Sequence, residues 1–185
     1  MKKVLIFCMA SFFVLAGCAS MHNPAPQLLP EHVRKIYIRP FVNNTNQFGI
    51  ETRLTNAVIE EFLRDGRLSV VNSPEEAHSM LVGEIRRYVL QPLTYDANMV
   101  ARQFKLWVIV SVSLVDTLDD ITLWREPGME GIQIYADLSA DPFGITEEQA
   151  RERVWDQLSR RIVRRTVRGF GSETSVSRRR LQGME

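Results

Sequence analysis

Cysteine is nearly missing from this chain: Cys8 and Cys18 are the only two in 185 residues. There are three histidines, His22, His32 and His78, and two of them fall in or beside an N-terminal linker. No His-x-x-x-His spacing, no Cys pair of metal-ligand spacing and no Gly-rich phosphate loop occurs. Gly169 and Gly171 make a lone GxG at the end of a helical stretch. The carboxylate pairs Glu60-Glu61, Glu75-Glu76 and Glu147-Glu148 fall at helix surfaces and starts, where acids are solvated or oppose the helix dipole. A surplus of one charge is absent as well, with 23 Lys+Arg against 22 Asp+Glu, which argues against nucleic acid as a partner. These absences point away from an enzyme, and away from a cofactor or a metal.

What is present begins at the N-terminus. In MKKVLIFCMASFFVLAGC, Lys2 and Lys3 precede an apolar run from Val4 to Leu15. That run is too short for a membrane span, which needs about 20 residues, but it suits an export signal. Leu15-Ala16-Gly17-Cys18 resembles a bacterial lipobox. Small side chains give a peptidase access to the backbone, and the Cys18 thiol is the nucleophile that accepts diacylglycerol. Cleavage would leave Cys18 as a lipidated first residue, with acyl chains holding it to a membrane. The alternative is an ordinary signal peptide with an incidental cysteine, but a secreted protein rarely keeps one unpaired thiol. Ala19 and Ser20 follow, without the Asp of inner-membrane lipoproteins, which implies the outer membrane. Loss of Lys2 and Lys3 would leave 21 basic against 22 acidic residues.

Four parts are expected along the chain: a signal peptide (1–17), a lipidated cysteine with an extended linker (18–32), a folded domain (33–169) and a disordered polar tail (170–185). In the domain, Lys35 to Phe41 alternates as a strand. Ile50, Leu54, Val58 and Phe62 then recur at helical spacing, with Gly66 as a C-terminal cap. Arg67 to Asn72 reads as a strand, Met80 to Leu90 as a long one, and 91–101 as a loop. Phe104, Leu106, Val108, Val110, Val112 and Leu114 fill every second position of Arg102 to Val115, the strongest strand signal in the chain. A short strand from Ile121 to Trp124 follows, and 127–144 reads as irregular. Thr146 and Gln149 have capping-box spacing before a helix whose apolar row is Ala150, Val154, Leu158 and Ile162. The order predicts an α+β fold with two helices packed on one face of a mixed four- to five-stranded sheet.

If the helices cover the Phe104 to Leu114 row, then Trp107 and Ile109 face outward, beside apolar neighbours such as Tyr37 or Tyr88. An exposed apolar patch of this kind marks a partner surface; the alternative is that a segment such as Ile132 to Leu138 folds across and buries it. Arg86, Arg87, Arg102 and Lys105 converge near the 91–101 loop if their strands pair antiparallel. Arginine grips phosphate bidentately, so a phosphorylated lipid head group is one ligand for them; ion pairs with Glu84 or Asp96 are the other account. The last helix carries Arg151, Arg153, Arg160, Arg161, Arg164, Arg165 and Arg168. They form either a solvated face or a contact for anionic head groups.

The run KIYIRPFVNNTNQFGIETRLTNAVIEEFLRDGRLSVVNSPEEAHSMLVGEI, behind a lipobox, resembles the LptE family of lipopolysaccharide-assembly lipoproteins. The likeness lies in the order of its parts. A strand-Pro-Phe-x-Asn-x-Thr opening precedes a Leu-rich helix, Gly-Arg-Leu-x-Val-Val and Val-Gly-Glu-Ile. A Pro-Leu-x-Tyr-Asp loop then leads into the long strand and Leu123-Trp124. The resemblance implies a lipoprotein that sits inside the outer-membrane barrel LptD, helps to assemble it and binds lipopolysaccharide. It makes Arg86, Arg87, Arg102 and Lys105 candidates for lipopolysaccharide contact, and Tyr37, Tyr88, Trp107 and Ile109 candidates for the barrel wall. A similar opening occurs in activators of peptidoglycan synthases of the LpoB type and in curli-secretion proteins of the CsgG type. The activators carry a longer linker after the cysteine, and the curli type needs more strands than this chain supplies.

Overall fold

Three long strands dominate this protein, and the middle one alternates apolar and polar residues over most of its length, the pattern of a strand with one buried face. The computed structural model describes residues 29–138 and 141–168. Cys18, most of the linker, the Gly169 and Gly171 helix stop and the tail lie outside the described residues. The elements run β1 (Lys35–Ile38), β2 (Val42–Asn43), α1 (Ile50–Asp65), β3 (Ser69–Val71), β4 (Ser79–Tyr95), β5 (Ala101–Asp116), β6 (Ile121–Ala136) and α2 (Glu147–Arg168). The sheet order is β3-β1-β4-β5-β6, with β2 also on β4. β1 runs parallel to β3 and β4, and β2 parallel to β4, whereas β4, β5 and β6 form an antiparallel meander. This is the expected α+β arrangement with a mixed sheet.

Local chemistry sets the helix ends. Gly49 (φ 78°) and Gly66 (φ 74°) bracket α1 in left-handed conformations that a side chain would strain. The Gly66 N–H donates to the Phe62 carbonyl at 3.0 Å, closing the last turn. At α2 the expected capping box forms reciprocally: the Gln149 N–H donates to Thr146 Oγ1 at 3.2 Å, and the Thr146 N–H to Gln149 Oε1 at 3.1 Å. Ile50, Leu54, Val58 and Phe62 of α1 are buried, as are Ala150, Val154, Trp155, Leu158 and Ile162 of α2. They meet the Leu106, Val108, Val110, Val112 and Leu114 row of β5 in one core. Each large aliphatic side chain fully buried there contributes about 1.5–3 kcal/mol.

Two segments differ from expectation. Residues 91–101 are mostly strand, with the turn confined to Asp96 through Val100. Pro92 is harmless there: β1 and β2 pair with β4 only as far as Ile85, so beyond that point β4 is an edge strand with no further ladder to lose. Likewise 127–136 belongs to β6, not to an irregular stretch. Between the Val110–Met129 and Val112–Glu126 pairs, β6 carries the extra residue of a bulge at Pro127-Gly128. β6 is also an edge strand, so its proline breaks the reading of the sequence without breaking the sheet.

Candidate functional site: the open face of the long strands

A single residue decides which side chains share a face. Ile85 pairs with Val110 and Arg87 with Ile109, which leaves Arg86 as an inserted residue on β4. Before it, Ser79, Leu81, Gly83 and Ile85 face the helices and are buried; after it, the phase shifts and the even positions do. Tyr88 therefore lies opposite Val108 on the helix side, half-buried against the core. Its hydroxyl donates to Glu147 Oε1 at 2.7 Å. Burial first, and then that carboxylate, push the phenol well above its ordinary pKa. Tyr88 was expected on the outward face; the bulge moves it off, and Val89 takes the position beside Trp107.

On the outward face Trp107 sits between Val89 of β4 and Ile132 of β6, while Lys105 pairs with Ile134 and Ile109 with Glu130. Val89 is 36 % exposed, Ile132 38 % and Ile134 51 %, a degree of exposure that leaves each with apolar surface to bury. Trp107 and Ile109 are partly buried. The Trp107 Nε1–H is shielded from solvent and has no hydrogen-bond partner among the described residues, and the Lys105 ammonium lies 5.2 Å from the indole ring centre. Ile132 and Ile134 extend the patch edgewise within β6, so this segment does not fold across Trp107. Both helices pack on the other side of the sheet. Tyr37 shares the outward face but pairs with Met80, which pairs in turn with Val115. That is eight positions along β5 from Trp107, about 27 Å at strand rise, so Tyr37 lies outside the patch.

The four basic candidates do not converge. Arg102, at the start of β5, is tied back to the hairpin turn: its Nε and Nη2 donate to Asp96 Oδ2 at 2.9 and 2.6 Å. The Asp96 carboxyl is held below its usual range by the Val100 N–H first and by Arg102 next. Arg86 reaches the Pro127 carbonyl at 3.5 Å and lies 4.0 Å from Glu84. Arg87 and Lys105 remain on the outward face, opposite Ile109 and Gln91, four strand positions apart, or about 13 Å. Neither makes an ion pair among the described residues. They flank the apolar patch.

Sequence reasoning missed Val89, Ile132 and Ile134 as patch members. The Ile132/Ile134 alternation was a usable signal, hidden by Pro127-Gly128. It also missed a clasp at the opposite end. His32, next to the linker, lies with its Nε2 2.7 Å from Asp116 Oδ2, and Asp116 Oδ1 accepts the Leu118 N–H at 2.9 Å. Burial raises the Asp116 carboxyl pKa, but the Leu118 N–H, His32 and the Asp119 N–H together outweigh it and hold the pKa below the usual range. The clasp ties the chain's entry segment to the β5–β6 turn.

Solved structures of similar fold include a Xanthomonas campestris protein (13 % identity, TM-score 0.55, covering 80 % of this chain and 90 % of that one). Another is lipoprotein B from Nitrosomonas europaea (19 % identity, TM-score 0.51, 77 % of this chain and 87 % of that one). A third is a hypothetical protein from Chlamydia trachomatis (12 % identity, TM-score 0.50, 70 % and 93 %). At these identities the likeness is one of fold. No curated protein matches the chain in sequence. The profile of the LptE family, described as lipopolysaccharide-assembly, matches residues 33–166, from the first buried residue of the domain, Val33, to the last turn of α2. The chain belongs to the LptE family.

Proposed function

We propose that this protein is tethered to the outer membrane through lipidated Cys18, that an LptD-type barrel encloses the outward face of its sheet, and that it binds lipopolysaccharide in transit. Membership of the LptE family makes it an envelope lipoprotein of a non-enzymatic class concerned with lipopolysaccharide assembly. The observation that carries the rest is the patch of Val89, Trp107, Ile109, Ile132 and Ile134, over which the described residues place no helix. A monomer gains nothing from leaving it wet, whereas a barrel wall would bury it. Arg87 and Lys105 border the patch and suit the phosphate groups of a lipopolysaccharide lying along its edge.

A photo-crosslinking residue at Trp107 or Ile132 should trap the barrel in whole cells. The same residue at Ser113, on the same face toward the β1 end, should trap it less. Equal capture from all three positions, or none from any, would remove the barrel from this face. Arg87→Ala with Lys105→Ala should weaken lipopolysaccharide retention by the purified complex, and retention equal to that of the parent would clear both residues of the role.

A further inference from the structure

The arginines of α2 whose side chains are described divide into two groups. Arg151 pairs with Glu148 on the helix itself. Arg165 packs inward, 3.2 Å from Glu126 and over the Trp124 ring. Arg153, Arg160, Arg161 and Arg164 instead line a groove of about 410 Å³ between α2 and Gln133 of β6, in which Asp156 is the one acid. Four guanidinium groups against one carboxylate leave a surplus of three positive charges.

Like charges one turn apart on a helix repel and cost stability. The helix dipole favours cations in the final turn only, which accounts for neither Arg153 nor Arg160. Internal partners neutralise little of the surplus. Arg161 donates to the Glu130 main-chain carbonyl at 2.8 Å, which fixes its direction without cancelling its charge. Arg160 lies 3.6 Å from Asp156. Arg153 and Arg164 have no ion pair or hydrogen bond among the described residues. Arg160 and Arg164 are one turn apart, with Cβ atoms about 5–6 Å from each other, and Arg161 is held beside them. Arg153 extends the groove about 16 Å along the axis from Arg164.

The geometry points to a binding groove for a phosphoryl group, centred on Arg160 and Arg164. Two guanidinium forks one turn apart can each present paired N–H donors to a tetrahedral oxyanion, and a dianion offsets both charges at once. Arg153 is placed for a second anionic group on the same ligand. The groove lies on the helix side, away from Trp107, so it stands or falls independently of the barrel.

The full lipoprotein, in non-ionic detergent at low salt, is titrated with inorganic phosphate and, separately, with dihexanoyl phosphatidic acid. Arginine Nε–Hε signals are followed by NMR. The Arg160 and Arg164 signals should move saturably, and Arg160→Gln with Arg164→Gln should weaken binding about tenfold or more. Equal affinity for the two probes makes the phosphoryl group itself the ligand. Phosphatidic acid binding at least about tenfold tighter makes the ligand a lipid head group, and either result supports the site. No saturable shift with either probe, or an affinity unchanged in the double variant, overturns it. Both side chains are exposed, so the variant should melt no lower than the parent without ligand. Should it misfold, the wild-type shifts still decide.

Discussion

Gly83 sits in β4 under the ring of Phe41, and no other residue fits there. A Cβ at Gly83 would lie 2.5 Å from ring carbons Cδ1 and Cζ of Phe41, and closer still to Cε1. The ring cannot yield by tilting outward, because Phe41 is 3 % exposed and packed in the core. Nor can its backbone retreat freely, since the Phe41 N–H is held by Thr55 Oγ1 at 3.0 Å. Gly83→Ala therefore overpacks the site at about 1–3 kcal/mol, and if the ring is expelled, about 1.5–3 kcal/mol of burial is lost in addition. For a domain of this size that is roughly 5–15 °C in melting temperature. The decisive assay is a double-mutant cycle by urea denaturation with Phe41→Leu. Leucine alone should cost about 1–2 kcal/mol through the space it leaves. Beside leucine, the new methyl enters that space, so the pair should cost less than the sum by about 1–3 kcal/mol. If the two substitutions add to within about 0.5 kcal/mol, the ring is not what excludes a side chain at position 83.

Two further outcomes follow from buried polar groups. Thr55→Val should cost about 1–3 kcal/mol, because it leaves the Phe41 N–H without its acceptor and removes the bond from Thr55 Oγ1 to the Glu51 carbonyl; Thr55→Ser should restore most of the loss in a urea titration. Asp116 has a carboxyl pKa held below its unfolded value, so its contribution to stability is present above about pH 3.9 and disappears as the pH falls through the lower, folded value. Asp116→Asn should accordingly lower the melting temperature at neutral pH and flatten its decline in acid; parallel curves for variant and parent would refute the clasp.

The helices were legible because their determinants are local. The i, i+4 rows of α1 and α2, the Thr146/Gln149 box and Gly66 all act within a turn or two of chain, and each formed where expected. The full length of β4 and β6 was not legible, because Pro92 and Pro127-Gly128 read as turns until one knows that they lie on sheet edges. Whether a strand has a neighbour on its far side is a property of the whole topology, not of its own residues. The face of Tyr88 falls between these cases. Leu81, Gly83 and Ile85 keep one phase and Tyr88, Leu90 and Pro92 the other, so the paired arginines Arg86-Arg87 mark a slip that alternation could have revealed. Reading Met80 to Leu90 as one unbroken strand put Tyr88 on the wrong side and left Val89 unnoticed.

The outward row of β5 is not uniform along its length, and that gradient bears on what covers it. Alongside β1 and β2 the row holds Val115, opposite Met80, and then Ser113 and Ser111, paired with Val82 and Glu84 on one side, with Arg125 beside Ser113 on the other. Beyond the Arg86 bulge it holds Ile109 and Trp107, with Val89, Ile132 and Ile134 as neighbours. A face selected only to meet water would carry the serine pattern throughout, since exposed β-branched and aromatic residues on edge strands invite edge-to-edge association. Among the described residues, an element burying this face would have to be a helix, and both described helices are committed to the other side. The change of chemistry within one strand, at the point where β4 loses its parallel neighbours, is what an enclosing partner would impose if it covers only the projecting half of the sheet. The Trp107 indole N–H, shielded yet without an acceptor among the described residues, carries the same implication at atomic scale. An unmet donor of that kind costs about 1–3 kcal/mol, and an acceptor on the covering surface would offset it.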